Sequence, residues 1–224
     1  MNKEGQGGNF MMIGPEMFYE MELKGKSAEA IQAKIRGLKN KMGRLKSDIK
    51  SQKTSFEPVS QPSPATKLAC YRLYLARAKQ ALIDAGGEYT LSQREKSIQS
   101  FDESLPFIEQ INFTYGGYLQ GCEQRTLSFS GDNLSLKIDH IMQESNEMEP
   151  IVKEFPSAKT DFLEAFASLH IGEWKSEYNN CGVLDGSFWS LEIRFNNGHR
   201  TVRKTGSNAF PYNFDDFCKL MQCE

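Results

Sequence analysis

Few side chains in this sequence have the types and spacing that chemistry demands, and the best set lies near the C-terminal end. His199 follows the dipeptide Asn197-Gly198, a strong hairpin-turn signal, and stands beside Arg200, Arg203 and Lys204. Glu192 and Arg194 lie on the run before that turn. A surface carrying Glu192, Arg194, His199, Arg200 and Arg203 would hold the base, acid and phosphate clamp that metal-independent RNA cleavage uses. The same residues also make a solvated strand face with cross-strand charge pairs, which needs no substrate. A reaction has to be argued from a defined site, so the leading reading assigns no catalytic residue and keeps this set as the alternative. His140 and His170 stand in no H-E-x-x-H or H-x-H pattern and read as structural or surface residues.

The second set is basic. Lys34, Arg36, Lys39, Lys41, Arg44, Lys46, Lys50 and Lys53 crowd a segment in which only Glu29 and Asp48 are acidic, so residues 27–53 carry +6. Such a face can meet nucleic-acid phosphates or an acidic protein groove, and solvation alone also uses it.

Other chemistries lack their patterns. No G-x-x-x-x-G-K-[ST], no helix-opening G-x-G-x-x-G and no G-x-S-x-G occurs. Asp132, Asp139, Glu144, Asp215 and Asp216 could pair on Mg²⁺, but no D-x-D framework joins them. The cysteines at 70, 122, 181, 218 and 223 are odd in number and include no C-x-x-C. They read as buried or idle thiols. No metal and no cofactor is expected.

The elements that must position these residues follow from composition and pattern. The chain has 224 residues with 39% hydrophobic and 25% charged side chains, and its net charge of −2 comes from 27 basic and 29 acidic groups. With a negative mean hydropathy, these values exclude collagen-like, mucin-like and wholly disordered classes. No window approaches the roughly 18 apolar residues of a membrane span, and MNKEGQGGNF lacks an apolar signal core. The expectation is a cytoplasmic protein with no membrane partner. The charge is uneven: residues 1–85 hold 15 basic and 8 acidic side chains, while residues 86–224 hold 12 and 21.

Residues 17–24 read as a short strand or a helical turn. Ile31, Ile35, Leu38, Met42, Leu45 and Ile49 alternate spacings of four and three, which predicts an amphipathic helix over 27–53. A proline-rich linker follows, and Ser63-Pro64 opens a second helix that stops at Gly86-Gly87. The two helices form a hairpin that buries the stripe, although a homodimer through the same stripe stays open. Ser92 and Glu95 make a capping box for a third helix. Period two then takes over in Ile111/Phe113/Tyr115, Leu127/Phe129 and Leu134/Leu136/Ile138. EPIVKEFPS reads as irregular. A helix after Ser157, strands over 173–178, 188–196 and 199–205, and a last helix from Asn213 complete the chain.

The predicted class is α+β: an N-terminal basic helical hairpin, then antiparallel sheet units with packed helices, ending in α-β-β-β-α. The expected units are 1–90, 91–150 and 151–224, and the two sheets could also join. The final order matches a double-stranded-RNA-binding domain, but the last helix opens Asn213-Phe214-Asp215-Asp216, which repels phosphate.

One stretch carries a resemblance. Asp185, Gly186, Trp189, Leu191, Ile193, Asn197, Gly198, Gly206, Ser207, Asn208, Ala209, Phe210, Pro211, Asn213, Phe214 and Asp215 spell D-G-x-x-W-x-L-x-I, N-G and G-S-N-A-F-P-x-N-F-D. This resembles a small module of Firmicutes mobile-element proteins, and FYEMELKGKS with its Lys-rich helix is similar to proteins of such elements. Some proteins in that setting are anti-CRISPR inhibitors of Cas9, and a few promote loss or truncation of guide RNA. The resemblance implies an interaction protein that binds a CRISPR effector, its guide RNA, or both. Its alternatives are a guide-truncating ribonuclease and a dimerising assembly protein.

Overall fold

The computed structural model describes residues 12–52, 62–117, 121–141, 149–183 and 186–223. Lys53, Glu144 and Asp185, together with most of the proline-rich linker and of the Gly/Met-rich start, lie outside these residues. The chain divides into two compact units, Met1–Thr90 and Leu91–Glu224.

Among its described residues the first unit has three helices. The aromatic stretch left open as strand or turn is a helix, α1 (Pro15–Glu22), with the proline at its first turn. Proline is favoured there because its missing N–H would have no intrahelical partner. α2 (Ala28–Gln52) and α3 (Pro64–Asp84) follow. Ser63 caps α3 by accepting the Thr66 N–H at 3.1 Å. At the far end Gly86 takes φ +76°, and the Gly87 and Gly86 amides reach back to Leu82 and Ile83. This Schellman cap requires the left-handed conformation that glycine adopts without strain.

Ile31, Ile35, Leu38 and Met42 of α2 are buried, whereas Leu45 and Ile49 are only half-buried. Ile31, Ile35 and Leu38 form one cluster with Tyr74, Ala78, Ala81 and Leu82 of α3. Two alanines on α3 let the helix axes approach, and each buried Leu or Ile contributes about 1.5–3 kcal/mol. α1 adds a third wall: Phe18 stacks on Tyr74 at 4.4 Å, and the Tyr74 hydroxyl donates to the Ile13 carbonyl at 2.6 Å. Within one chain, the front of the stripe is therefore covered by α3 and α1.

The second unit is one mixed sheet with helices on one face. α4 (Gln93–Ser104) begins with the reciprocal Ser92/Glu95 capping box and ends in a 3-10 turn at Leu105–Phe107. The strands are β1 (Ile108–Gly117), β2 (Gly121–Ser130), β3 (Asn133–Ile141), β4 (Ile151–Phe155), β5 (Glu177–Asn179), β6 (Ser187–Phe195) and β7 (Val202–Ser207). α5 (Lys159–Ser168) lies between β4 and β5, and α6 (Phe214–Leu220) closes the chain. Their order across the sheet is β4-β3-β2-β1-β6-β7-β5. All neighbours are antiparallel except β5, which runs parallel to β7.

The fold is thus α+β, a helical hairpin followed by a seven-stranded, mostly antiparallel sheet with packed helices. Segments 91–150 and 151–224 share that sheet, because β1 pairs with β6 from Ile108↔Phe195 to Gly117↔Ser187. The two expected sheets are therefore one. The structure departs from the sequence pattern in three places. Residues 151–155, read as irregular, form edge strand β4, where pairing to β3 outweighs a weak pattern. In place of the strand expected over 173–178, a 3-10 turn (Ile171–Glu173) ends and only a short β5 (Glu177–Asn179) follows. The β6–β7 pairing ends at Ile193↔Val202, so the connection is longer than a two-residue hairpin, although Gly198 does take φ +82°.

Alternation puts Ile111, Phe113, Leu127, Leu136, Leu191 and Ile193 on the helix-covered face, all buried with Phe166 of α5 and Phe217 of α6. Phe217 meets Phe113 edge-to-face at 4.9 Å and Trp174 at 5.4 Å. The other face is polar, carrying Gln110, Asn112, Thr114, Ser190, Glu192 and Arg194.

The described residues from Gly186 to Asn213 include a folding lock. Trp189, 1% exposed, donates its indole N–H to the Ala209 carbonyl at 3.0 Å. A Cβ on Gly206 would stand 2.1 Å from that indole nitrogen. Asn208 holds φ +51°, accepts the Ser187 N–H at 2.9 Å and donates to the Val183 carbonyl at 3.1 Å. A Cβ on Gly186 would strike the same Asn208 side chain. Asn213 stands at the N-cap position of α6, but it does not cap that helix as expected. Its side chain instead accepts the Trp174 indole N–H at 2.9 Å and donates to the Leu169 carbonyl at 2.6 Å. A buried indole N–H has a stronger claim on that oxygen than a helix end open to water.

Candidate nucleic-acid interface

α2 sorts its charge by geometry. The stripe faces inward, and a period of 3.6 residues turns Arg36 and Arg44 away from it, about 12 Å apart along the axis. Both are exposed, as are Lys41, Gln32 and Asn40. No acidic residue lies between Glu29 and Asp48. The flanking lysines lean against the hairpin. Lys34 pairs with Glu22 at 2.5 Å and lies 5.7 Å from the Phe18 ring centre. Lys39 lies 5.2 Å from the Tyr89 ring centre, and Lys41 lies 5.8 Å from that of Tyr71. Lys46 is half-buried, and Lys50 lies in the last turns of α2. Arg36, Lys41 and Arg44 thus make up the exposed cationic surface of α2, Arg36 and Arg44 turned outward and Lys41 at the flank beside Tyr71, with Lys34 tied back to α1.

The cleavage set divides. Glu192, Arg194 and Arg203 do meet: both guanidinium Nε atoms donate to the Glu192 carboxylate at 2.7 Å. Arg194, then Arg203, holds that carboxyl below the usual carboxylate range. A carboxylate held ionised by two cations is a weak proton acceptor. His199 turns elsewhere. Its ring packs 4.7 Å from Phe195, a residue of the helix-covered face, and its Nδ1 lies 2.8 Å from the Arg200 carbonyl. Arg200 itself is exposed. The trio on the polar face and the histidine are not brought together.

A hollow of about 290 Å³ lies between the covered sheet face, α5 and α6, lined by Leu127, Leu136, Phe155, Phe162 and Met221. Its polar lining is limited to Asp161 and Gln222, too few groups to orient a substrate. Among the described residues no three or more His, Cys, Asp or Glu side chains gather as a metal requires, and no helix is long and apolar enough to cross a membrane.

Two charged groups are buried on the covered face, which their sequence neighbourhood does not announce. Lys204 of β7 is 7% exposed and donates to the Trp174 carbonyl at 2.9 Å. Burial, helped by the charge on Arg94, pushes its ammonium down to about 8. The folded protein therefore releases this proton before the unfolded chain does. Stability is expected to rise as pH climbs from about 8 to about 10.5, by up to about 3 kcal/mol. Urea unfolding of the wild type and Lys204→Met at pH values across that window, under reductant, checks it: the variant should lose most of the rise. Equal pH slopes would refute the assignment. The other group is Arg125 on β2, 3% exposed. The one trace of both is a charge at a core-facing position of a strand, as in Glu123-x-Arg125-x-Leu127-x-Phe129.

No protein-family model matches this chain, and no curated protein matches it.

Proposed function

We propose that this chain is a non-enzymatic interaction protein that docks α2 on the phosphates of a nucleoprotein. Cas9 with its guide RNA is the partner that the sequence resemblance favours, and the mode of action is that of an anti-CRISPR inhibitor. The observation that carries the reading is the exposed cationic surface of Arg36, Lys41 and Arg44 on a helix with no acid between Glu29 and Asp48. Cations placed this way displace condensed counterions from a phosphate backbone, so binding must weaken steeply with salt. A cleaving enzyme is disfavoured, because Glu192 is held by two arginines and His199 packs against the other face.

The test is complex formation with Cas9–guide RNA at about 50 and about 200 mM salt. The expected result is binding at low salt, weakened at high salt, with the guide intact afterwards. Failure to bind at low salt removes the proposal, and shortened guide RNA would transfer it to the ribonuclease alternative.

A further inference from the structure

The C-terminal end of α6 places two thiols together. The Cys223 N–H donates to the Cys218 carbonyl at 2.8 Å and the Gln222 N–H to the Lys219 carbonyl at 3.0 Å, with Gln222 at φ +57°. These are the two bonds of a Schellman cap. That cap characteristically brings the residues at its two ends into side-chain contact, and here both are cysteines. At this spacing the Cys218 and Cys223 side chains interact, and each shifts the acidity of the other. Both cysteines are only partly buried.

Arg125 completes the arrangement. Its Nη2 donates to the Gln222 carbonyl at 3.2 Å, within the cap itself. Its Nη1 touches the Glu123 carboxylate without hydrogen-bond alignment, and its Nε has no hydrogen-bond partner. A guanidinium 3% exposed, with Glu123 on one side and two nitrogens without hydrogen bonds, retains capacity for a further anion.

We propose that Cys218 and Cys223 form a redox-modification site in which a peroxide oxidises Cys223 and Cys218 resolves the product to a disulfide, with Arg125 as the positioning residue. The Cys223 thiolate attacks one peroxide oxygen. The O–O bond breaks, leaving a sulfenic acid at Cys223 and a hydroxide that takes a proton to become water. The Cys218 sulfur then attacks the sulfenic sulfur. The S–S bond forms, the S–O bond breaks, and the hydroxide leaves with the Cys218 proton as a second water. Two thiols and one peroxide give one disulfide and two waters.

Charge supports the order of these steps. The interaction with Cys218, aided by Arg125, holds the Cys223 thiol below its ordinary range against burial and the Glu123 charge. The same interaction, together with burial, pushes Cys218 far up, and Asp215 adds to that. Cys122 offers a contrast, since burial alone pushes its thiol up. A thiolate beside a cation is the reactive form.

The test oxidises the reduced full chain with hydrogen peroxide, alkylates the remaining thiols and digests with trypsin. Cleavage after Lys219 puts the two cysteines on separate fragments, 205–219 and 220–224, which only a disulfide holds together. The expected result is that linked pair, released by reductant, while Cys70, Cys122 and Cys181 are recovered alkylated. Cys223 should react at least about tenfold faster than the exposed Cys181. Cys218→Ser should leave a sulfenic acid at Cys223 that dimedone traps. Arg125→Met should slow Cys223 about tenfold and leave Cys181 unchanged; should that variant not fold, Cys218→Ser carries the test alone. Oxidation of Cys223 no faster than that of Cys181, or separable fragments after oxidation, would overturn the proposal.

Discussion

Placing a methyl group on residue 206 should unfold much of the second unit. In Gly206→Ala the new Cβ would lie 2.1 Å from the Trp189 indole nitrogen and 2.6 Å from the Ala209 carbonyl oxygen. The carbonyl is backbone and the indole is wedged among Trp174, Tyr178 and Phe214, so neither can yield cheaply. Overpacking of this kind costs about 1–3 kcal/mol, and losing the indole–carbonyl bond leaves two buried polar groups unpaired at about 1–3 kcal/mol more. Trp189→Ala, which empties the site, should cost about 3–5 kcal/mol. The double variant tests the mechanism, because removing the indole removes much of the clash. Chemical denaturation should show it less destabilised than the two single changes added, by at least about 1 kcal/mol. Simple additivity would mean that Gly206 and Trp189 do not constrain each other.

Neutralising the exposed cationic surface of α2 should change binding and leave the fold alone. Arg36→Gln, Lys41→Gln and Arg44→Gln together remove three exposed charges and replace them with another good helix former, so helicity and melting should hold within about 0.5 kcal/mol. If each group neutralises one phosphate of a single strand, the logarithmic salt slope of binding should flatten by about 2. Affinity at low salt should fall accordingly and converge with the wild type at high salt. An unchanged slope would show that this surface does not meet phosphate. Glu192→Gln, which loosens Arg194 and Arg203 on the polar sheet face, is the control and should leave the slope as it is.

Legibility in the sequence tracked the strength of local signals. The 4-3-4-3 stripe of α2, the Ser63-Pro64 start, the Gly86-Gly87 stop and the Ser92/Glu95 box all act within a turn or two, and each appears where expected. Strands β1, β2, β3 and β6 were readable because one face is buried and the other is polar. β4 was not: all its side chains but Phe155 are exposed, so it has no alternation to read, and only its pairing to β3 makes it a strand. β5 likewise exists through its parallel bond to β7. Asn213 carried a helix-cap signal that a distant indole overrode. The thiol pair was invisible for a related reason. Gln222 takes a conformation in which glycine is the usual marker, so nothing in the string Cys-Lys-Leu-Met-Gln-Cys announces that the chain turns back on itself.

The central place of β1 bears on how the chain matures. β1, β2 and β3 can zip as a local meander once residue 141 has been synthesised, but the other rim of β1 waits for β6, which begins at Ser187. Throughout that interval a nascent chain presents the row Ile111, Phe113 and Tyr115 with open backbone donors and acceptors, an invitation to intermolecular association. Closing so distant a pair is entropically slow. Chains halted before Ser187 should therefore accumulate in aggregates, whereas chains reaching the Gly206–Trp189 lock should escape them.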